Sequence, residues 1–423
     1  MEIWNELLKL ELKQLREEGF DIEEIEEVVT GTTPLKGLLE LMLTRELLKP
    51  MENYRYREPS SLDEIRRLRY SGPRELGVDK STVRQKIAGG WLGRVAGCIL
   101  GKPVEGWSHE KIKQKLIEIR EYPLKYYFPP EIFKYDKCKL PLTRGNIQYA
   151  ERDDDTDYTI LNLHIIEVYG REFTTDHVAK EWLMHLPYQC TYTAERVAYR
   201  NLVLGLRPPA TAIFLNPYRE WIGARIRADI WGYVCPGEPE KAAELAYRDA
   251  ILSHTKNGIY GEMFIAATIA AAFSVDTPLE AIEVGLSEIP RTSRLVEAIE
   301  YVMDLYRRNV SWEEVLRSII TEYGKYHPVH VINNTAITIA ALLWGEGDFS
   351  RTITLAVMSG WDTDCNGATA GSIAGVLYGI EGIQERWWKV FNNTIRSAVV
   401  GFDYSKLTDL IERTTKISLS TIH

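Results

Sequence analysis

The sequence lacks the features that mark secreted, membrane-spanning and nucleic-acid-binding proteins. Its five cysteines are scattered and form no C-x-x-C pair, which argues against a disulfide scaffold and a structural zinc site. The longest apolar runs, such as MFIAATIAAAF at 263–273, fall well short of the roughly 20 residues that span a bilayer. The 51 basic residues are outnumbered by 60 acidic ones and form no basic stripe. We therefore expect neither a membrane nor a nucleic-acid partner.

The N-terminal residues also lack the basic-then-apolar order of a signal peptide. Together with the cysteine pattern, this favours a cytoplasmic protein in a reducing setting. The length of 423 residues and the charged fraction of 26% are those of an enzyme-sized globular protein. Small molecules or modified proteins are the expected partners, and the sequence does not indicate an oligomeric state.

Helical patterns dominate the sequence. Apolar residues recur at intervals of three and four within residues 1–50, and residues 51–82 turn to a polar, proline-containing connector. We predict an N-terminal helical extension and connector over 1–80 and an all-α main domain over 81–423. Thr277 to Glu280 and Ser311 to Glu314 match the capping box that opens a helix.

Residues 106–150 interrupt this helical regularity because they are dense in lysine, tyrosine and proline. The segment is predicted to be an insertion in the main domain. Two roles stay open for it: a lid over a site, or an aromatic-rich loop packed on the surface.

Glycines recur every four residues in two distant segments. One row comprises Gly89, Gly93, Gly97 and Gly101, and the other comprises Gly367, Gly371, Gly375 and Gly379. On a helix each row forms a single face almost without side chains. Glycine inside a helix costs roughly 1 kcal/mol against alanine, so the rows predict a close approach of two helix backbones.

Carboxylates stand at the head of two predicted helices. Asp153, Asp154 and Asp155 precede one, and Asp362 and Asp364 precede the glycine-rich one. A single aspartate there is usually an N-cap, and acidic runs are often solvated surface. Several like charges so close repel unless a cation neutralises them, and hard oxygen ligands suit Mg²⁺ and Mn²⁺. The pattern predicts a metal site, with two divalent cations, assembled from both helix ends.

Four motifs follow one another along the chain. They are GRVAGCILGKPVEG at 93–106, DDT at 154–156, LSHTKNGIYGEMFIAA at 252–267 and GWDTDCNGATAGSIAG at 360–375. Over roughly residues 84–400 these motifs resemble, in the same order, those of the ADP-ribosylglycohydrolase family. The resemblance implies a compact all-α bundle with a dinuclear Mg²⁺ or Mn²⁺ site in a central cleft.

The resemblance also implies roles for individual residues. It makes Asp154, Asp155, Asp362 and Asp364 metal ligands, places Glu105 near the reacting bond and puts His254 near the ADP-ribose. We expect Glu105, Asp155 and Asp364 to be the catalytic residues. The chain departs from the family motifs at three positions, which are Cys98, Asp153 and Cys365. Asp153 and Cys365 are candidate ligands, although a thiol is a poor ligand for Mg²⁺.

Three further residues are candidate substrate contacts. Arg225 and Arg227 could meet a pyrophosphate through their planar guanidinium groups, or be ordinary surface charges. Asn333 could line the cleft or cap a helix.

Three functions remain open at this point. The first is a dimetal hydrolase that removes ADP-ribose from a protein or small molecule. The second is a hydrolase of another N- or O-glycoside or nucleoside-like substrate, and the third is a non-enzymatic, metal-stabilised binding or structural protein.

Overall fold

The structure is a computed structural model that describes residues 2–44 and 47–422, and within these ranges the regular elements are helices apart from one small two-stranded hairpin. The α-helices in chain order are α1 (Glu2–Glu17), α2 (Glu23–Thr30), α3 (Pro34–Thr44), α4 (Leu62–Leu68), α5 (Val83–Gly101), α6 (His109–Glu118), α7 (Asp154–Tyr169), α8 (Thr175–His185), α9 (Thr193–Val203), α10 (Ala210–Ile213), α11 (Asp229–Tyr233), α12 (Pro239–Ala250), α13 (Asn257–Ala272), α14 (Pro278–Leu286), α15 (Arg294–Arg307), α16 (Trp312–Tyr323), α17 (Val331–Trp344), α18 (Phe349–Met358), α19 (Thr363–Tyr378) and α20 (Leu407–Thr421). The all-α fold class is confirmed.

Short elements complete the described chain. The 3₁₀ turns are Lys102–Val104, Pro130–Phe133, Leu140–Leu142, Gly170–Glu172, Tyr188–Cys190, Arg225–Arg227, Ile380–Gly382, Glu385–Trp387 and Lys389–Phe391. Strands β1 (Thr394–Arg396) and β2 (Tyr404–Lys406) pair antiparallel as a small hairpin beside α20.

Helices α5 and α19 form the centre of the bundle and pack backbone to backbone. They run antiparallel, so that Gly89 meets Gly375 and Gly97 meets Gly367. A methyl group added at Gly97 would lie only 1.9 Å from the carbonyl oxygen of Gly367. The predicted close approach is confirmed, with one difference. Gly379 follows α19 as its C-cap at φ 65°, a conformation that glycine adopts without a steric penalty.

Two further helices lie wholly inside the core. Every residue of α13 and of α17 is buried, which explains why their sequences are apolar on all faces. The two predicted capping boxes are also confirmed, at the starts of α14 and α16. These local signals mark where helices begin at the edge of the core.

Helices α1 to α3 share a small apolar cluster of their own and are joined to the main bundle by buried ion pairs. Arg219 is fully buried and bonds Glu11 at 2.8 Å and Glu18 at 2.5 Å, both on or just after α1. Arg294 similarly bonds Glu58 of the connector at 2.8 Å. Removing one partner of such a pair strands a buried charge, so the extension docks on its own chain. The domain boundary near residue 80 stays a prediction.

The aromatic side chains of segment 106–150 pack into the core. Tyr127, Phe128 and Phe133 are buried, and the Tyr127 hydroxyl donates to the Trp387 carbonyl at 2.6 Å. The ring centroids of Tyr127 and Trp387 are 5.0 Å apart. These contacts favour the packed-surface role over the lid, because aromatic rings buried in a core do not move as a unit. That 106–150 is an insertion stays a prediction.

Candidate active site

The candidate site lies where the C-terminal end of α5 meets the N-terminal end of α19. The antiparallel glycine contact brings Gly101 against Thr363, whose hydroxyl donates to the Gly101 carbonyl at 2.8 Å. Glu105 follows α5 after a single 3₁₀ turn, and Asp362 and Asp364 begin α19. The helix pair therefore holds residues some 260 positions apart in one place.

Backbone hydrogen bonds join the Glu105 loop to the segment before α19. The Gly106 N–H donates to the Trp361 carbonyl at 3.0 Å, and the Trp361 N–H donates to the Trp107 carbonyl at 3.1 Å. Trp361 has φ 63°, a left-handed conformation that is unusual for a bulky residue. Such strain persists only where surrounding contacts impose it, and here it directs Asp362 towards Glu105.

Side chains from the start of α7, the start of α19 and the turn after α5 form two overlapping groups. Ligand atoms of Asp155, Asp364 and Cys365 lie within 4.8 Å of one another, and so do those of Glu105, Asp362 and Asp364. Asp364 belongs to both groups. Glu105 is exposed, whereas the other members are buried, so it stands at the solvent side of the cluster.

Asp153 and Asp154 fall outside both groups. Asp153 is the N-cap of α7, accepting the Asp155 N–H at 3.0 Å, and it forms an ion pair with Lys102. Burial alone would raise the pKa of Asp153, but Lys102 outweighs it and lowers that pKa. Asp154 is half-buried at the first position of α7. The capping interpretation thus holds for Asp153 alone, because Asp362 makes no side-chain cap bond.

Mutual repulsion and burial disturb the acidity of these groups. Burial, opposed by Arg94 and reinforced by Asp153 and Asp362, raises the pKa of Asp155 to about 8. Burial and then Glu105 raise the pKa of Asp364 well above its ordinary value. The shifts record a site with too few positive charges for its carboxylates, which is the condition a bound cation relieves.

Glu105 shows the same effect at the solvent side. Burial of its carboxyl group, followed by the charges of Asp362 and Asp153, raises its pKa to about 7. A carboxyl group with such a pKa can both take up and release a proton near neutral pH.

Cys365 remains a thiol in this setting. Burial and the neighbouring Asp155 and Asp362 raise its pKa well above the ordinary value. Its Sγ donates a hydrogen bond to Asp155 Oδ2 at 3.1 Å. The thiol therefore acts as a hydrogen-bond donor to a carboxylate of the cluster. Cys98, the other departure, is fully buried in α5.

Two basic residues that orient the carboxylates were missed in the sequence. Arg94 is fully buried in α5, donates to the Asp155 backbone carbonyl at 2.6 Å and pairs with Asp229 at 2.8 Å. Lys102 pairs with Asp153. The sequence did contain a signal, because Arg94 lies within a glycine row and Lys102 just after it. A close helix contact has no room for an unpaired charge, so each basic residue needs a carboxylate partner.

A chain of amide contacts supports α19 from behind. Asn334 Oδ1 accepts the Asp362 backbone N–H at 3.3 Å and the Asn366 amide at 2.8 Å. Arg225 in turn donates to Asn366 Oδ1 at 2.8 Å and to Thr338 at 2.9 Å. Arg225 is fully buried, so the surface-charge interpretation is wrong for it. It supports the site through Asn366.

Arg227 lies in a separate buried network. It is fully buried and bonds Glu195 at 2.7 Å and Asp249 at 3.1 Å. The surface interpretation is wrong here as well. A pyrophosphate would reach this guanidinium group only by displacing buried carboxylates, and breaking such pairs costs several kcal/mol.

His254 and Asn333 are likewise buried and fully engaged. His254 Nε2 accepts the Ala224 N–H at 3.3 Å, and its Nδ1 lies 2.8 Å from the Ser253 hydroxyl. Burial and then Arg227 lower the pKa of His254 well below its ordinary value, so the ring is neutral. Asn333 donates to the His327 carbonyl at 3.0 Å and accepts the Asn334 N–H. The structure does not bring either residue to the exposed side of the cluster.

Comparison with known proteins decides the family. The sequence model of the ADP-ribosylglycohydrolase family matches residues 79–418, most of the chain. The chain belongs to the ADP-ribosylglycohydrolase family. Membership indicates a hydrolase with glycohydrolase activity, and the family's active site is metal-dependent, in keeping with the acidic groups found here.

Two individual matches accompany this result. An uncharacterized protein of Archaeoglobus fulgidus is 24% identical over 302 residues, covering 70% of this chain and 88% of its own length. A solved chain described as an ADP-ribosylglycohydrolase-related protein complex is 18% identical with a TM-score of 0.49, covering 80% of this chain and 99% of its own. Within the described residues, no helix has the length and apolar character to cross a bilayer.

Proposed function

We propose that this member of the family hydrolyses the ribosyl linkage of ADP-ribose attached to a protein or a small molecule. The observation that carries the proposal is the meeting of Glu105 with Asp362 and Asp364 at the exposed side of a buried carboxylate cluster. Hydrolysis of a glycosidic bond needs a proton-transferring group beside carboxylates that stabilise an oxocarbenium-like C1. The family supplies ADP-ribose as the first substrate to test.

The same cluster would hold two divalent cations, Mg²⁺ or Mn²⁺. The raised pKa of Asp155 and of Asp364 supports this, because these buried oxygens have more negative charge around them than Arg94 and Lys102 balance. Carboxylate oxygens are also the donors that these hard ions prefer. Bound there, the cations would supply charge neutralisation and polarise substrate oxygens.

The ligands we propose are divided between the two helix ends. Asp154 and Asp155 would contribute from α7, and Asp362 and Asp364 from α19. Asp153 would act beside them, because Lys102 already neutralises it. Cys365 reaches the group through its contact with Asp155, and its thiol would favour a softer ion than Mg²⁺ if it ligates.

Glu105 would move the proton in the reaction. The residue is exposed to an incoming substrate, and its carboxyl group lies within 4.8 Å of those of Asp362 and Asp364. As a carboxylate it would take a proton from the water that attacks C1, and as an acid it would protonate a poor leaving group. Asp155 and Asp364 would act beside it by holding the cations that polarise substrate oxygens.

A second substrate class, another N- or O-glycoside or a nucleoside-like compound, is favoured by a separate observation. Arg227 and His254, the expected contacts of the ADP-ribose, are fully buried and bonded to other residues. A pocket that does not use them lacks the pyrophosphate contacts that the sequence suggested. The carboxylate cluster and Glu105 would serve either substrate.

The proposal is tested with chelator-stripped protein in a thermal-shift experiment. Mg²⁺ or Mn²⁺ is added first and ADP-ribose second, because a ligand at 100 times its Kd stabilises the folded state by about 2.7 kcal/mol. We expect each cation to raise the Tm, and ADP-ribose to raise it further only when cation is present.

Turnover is then measured on a mono-ADP-ribosylated protein and on a panel of N- and O-glycosides. Hydrolysis of the first by wild type, lost in Glu105→Gln, supports the ADP-ribose proposal. A response to cation with hydrolysis of a glycoside of the panel, but neither binding nor hydrolysis of ADP-ribose, would instead establish the second substrate class. No response to either cation would contradict the metal site.

A further inference from the structure

A second cluster of metal-ligating side chains lies on the other half of α7. It comprises His164 on α7 and Glu181 and His185 on α8, whose ligand atoms lie within 4.8 Å of one another. His164 is ten residues beyond Asp154, so at 1.5 Å per residue it is about 15 Å along the helix from the carboxylate cluster. The hydrolase site does not use it.

The distances within the cluster suit one shared ion. Glu181 Oε2 is 2.8 Å from His185 Nδ1 and 3.3 Å from His164 Nε2. Ligands bound tetrahedrally at about 2.0 to 2.2 Å from a zinc ion are about 3.3 to 3.6 Å apart. Small side-chain movements would therefore place all three donor atoms around a single ion.

Two of the three donor atoms lack hydrogen-bond partners among the described residues. Glu181 is buried, and neither its Oε2 nor His185 Nδ1 has a hydrogen bond among the described residues, although both atoms are buried. Their 2.8 Å separation lacks the direction of a hydrogen bond, so neither atom satisfies the other. Unsatisfied buried polar atoms are rare in native proteins and indicate a missing partner.

Neighbouring contacts orient these ligands. The Tyr169 hydroxyl donates to Glu181 Oε1 at 2.5 Å, which turns the other carboxylate oxygen towards the histidines. Hydrogen-bonded second oxygens of this kind fix the direction of metal-ligating carboxylates.

We propose that His164, Glu181 and His185 bind one borderline transition-metal ion of the Zn²⁺ class. Two imidazoles and a carboxylate are a zinc ligand set, and they leave one coordination position free. The side chains of His164 and His185 are each 21% exposed, so that position is open to water. The ion would also clamp α8 to α7, the helix whose first turn carries Asp154 and Asp155.

The test uses tag-free, chelator-stripped protein kept in excess Mg²⁺, which occupies oxygen ligands but competes poorly for imidazole. Zn²⁺ is titrated by calorimetry, and Co²⁺ by visible absorption, which is intense in four-coordinate sites. We expect one Zn²⁺ per chain that Mg²⁺ does not displace. His164→Gln and His185→Gln should each lower its affinity by more than 100-fold, and Tyr169→Phe by about 10- to 100-fold.

Two control variants separate this site from others. Asp364→Asn removes a carboxylate of the hydrolase cluster and should keep the Zn²⁺, whatever it does to turnover. His327→Gln removes a histidine that stacks on Trp221 and should also keep it. Circular dichroism checks that each variant is folded. If wild type binds no Mg²⁺-resistant Zn²⁺, or if both histidine variants bind it as wild type does, the three residues form only an ion-pair cluster.

Discussion

Substitution of Gly97 by alanine tests whether the glycine contact between α5 and α19 builds the active site. The new methyl carbon would lie 1.9 Å from the Gly367 carbonyl oxygen and 2.3 Å from its carbon. Because real contacts of this kind stay above 3.0 Å, the backbones must separate by at least 1.1 Å, which is 3.0 minus 1.9. Neither partner is a flexible side chain, so the strain is not easily relieved.

The expected cost follows from two opposing effects. Overpacking a core costs about 1 to 3 kcal/mol, and rigid backbone on both sides puts this position at about 3 kcal/mol. Alanine returns up to about 1 kcal/mol through its higher helix propensity, which leaves a net loss of about 2 kcal/mol. With about 2.1 cal/mol/K per residue, a chain of 423 residues unfolding as one unit would lose about 2 °C in Tm.

The assay measures both stability and cation response. Differential scanning fluorimetry is run on wild type, Gly97→Ala and the control Gly77→Ala, where an added methyl group meets nothing within 4 Å. The control should stay within about 0.5 kcal/mol of wild type. Gly97→Ala should also lose part of its stabilisation by Mg²⁺, because the same helix contact sets Glu105 against Asp364. A Tm and a Mg²⁺ response equal to those of wild type would refute the reasoning.

The remaining predictions concern the charges of the site. Glu105→Gln should abolish turnover while the Tm rise with Mg²⁺ persists, and turnover near the wild-type rate would remove Glu105 from the mechanism. Because the folded-state pKa of Asp155, about 8, lies above its ordinary 3.8, the cation-free protein should lose stability as the pH rises from about 4 to 8. Thermal melts over this pH range, with chelator or with Mg²⁺, measure the change in Tm. The fall in Tm with pH should be smaller with Mg²⁺, and equal slopes of Tm against pH in the two series would contradict the prediction. Cys365→Thr should raise the affinity for Mg²⁺ relative to that for Cd²⁺, both measured by calorimetry. An unchanged ratio of the two affinities would show that the thiol does not affect ion binding. Lys102→Met should lower the Tm of chelated protein by unpairing Asp153, with partial recovery in Mg²⁺, and an unchanged Tm would show that the pair contributes little.

The buried ion pairs beneath the N-terminal extension give it a structural role in the main bundle. Arg219 forms ion pairs with Glu11 and Glu18, and the Gln14 side-chain amide donates to Glu220 at 2.7 Å. Glu220 also bonds Arg294, which holds the connector through Glu58. The extension thus neutralises charges that the main bundle buries, and its removal would expose them unpaired.

Local patterns in the sequence were sufficient for several elements. The capping boxes at Thr277 and Ser311 depend on residues three apart, so their geometry follows from the chain itself. The two glycine rows predicted a close helix contact for the same reason, since a spacing of four residues fixes one face of a helix. The carboxylates at two predicted helix starts led to the predicted metal site, because a helix needs only one of them as its N-cap.

Only the tertiary structure decided which polar residues face solvent and which are enclosed. In the sequence Arg225 and Arg227 could be surface charges or substrate contacts, and His254 was expected near the ADP-ribose. The burial of all three depends on helices distant in sequence. Arg94 could not be recognised as the partner of Asp155 before α5 and α7 were packed together. Side-chain environment is set by non-local contacts, and periodicity within one segment carries no information about them.

The cluster of His164, Glu181 and His185 illustrates the same limit. Glu181 and His185 are four residues apart on α8, which a helical pattern makes neighbours, but His164 joins them only through the packing of α7 on α8. The sequence by itself determined the helices, the glycine contact and the carboxylate-bearing helix ends, since each arises from local spacing. The tertiary structure decided which charges meet, because that depends on how the helices cross.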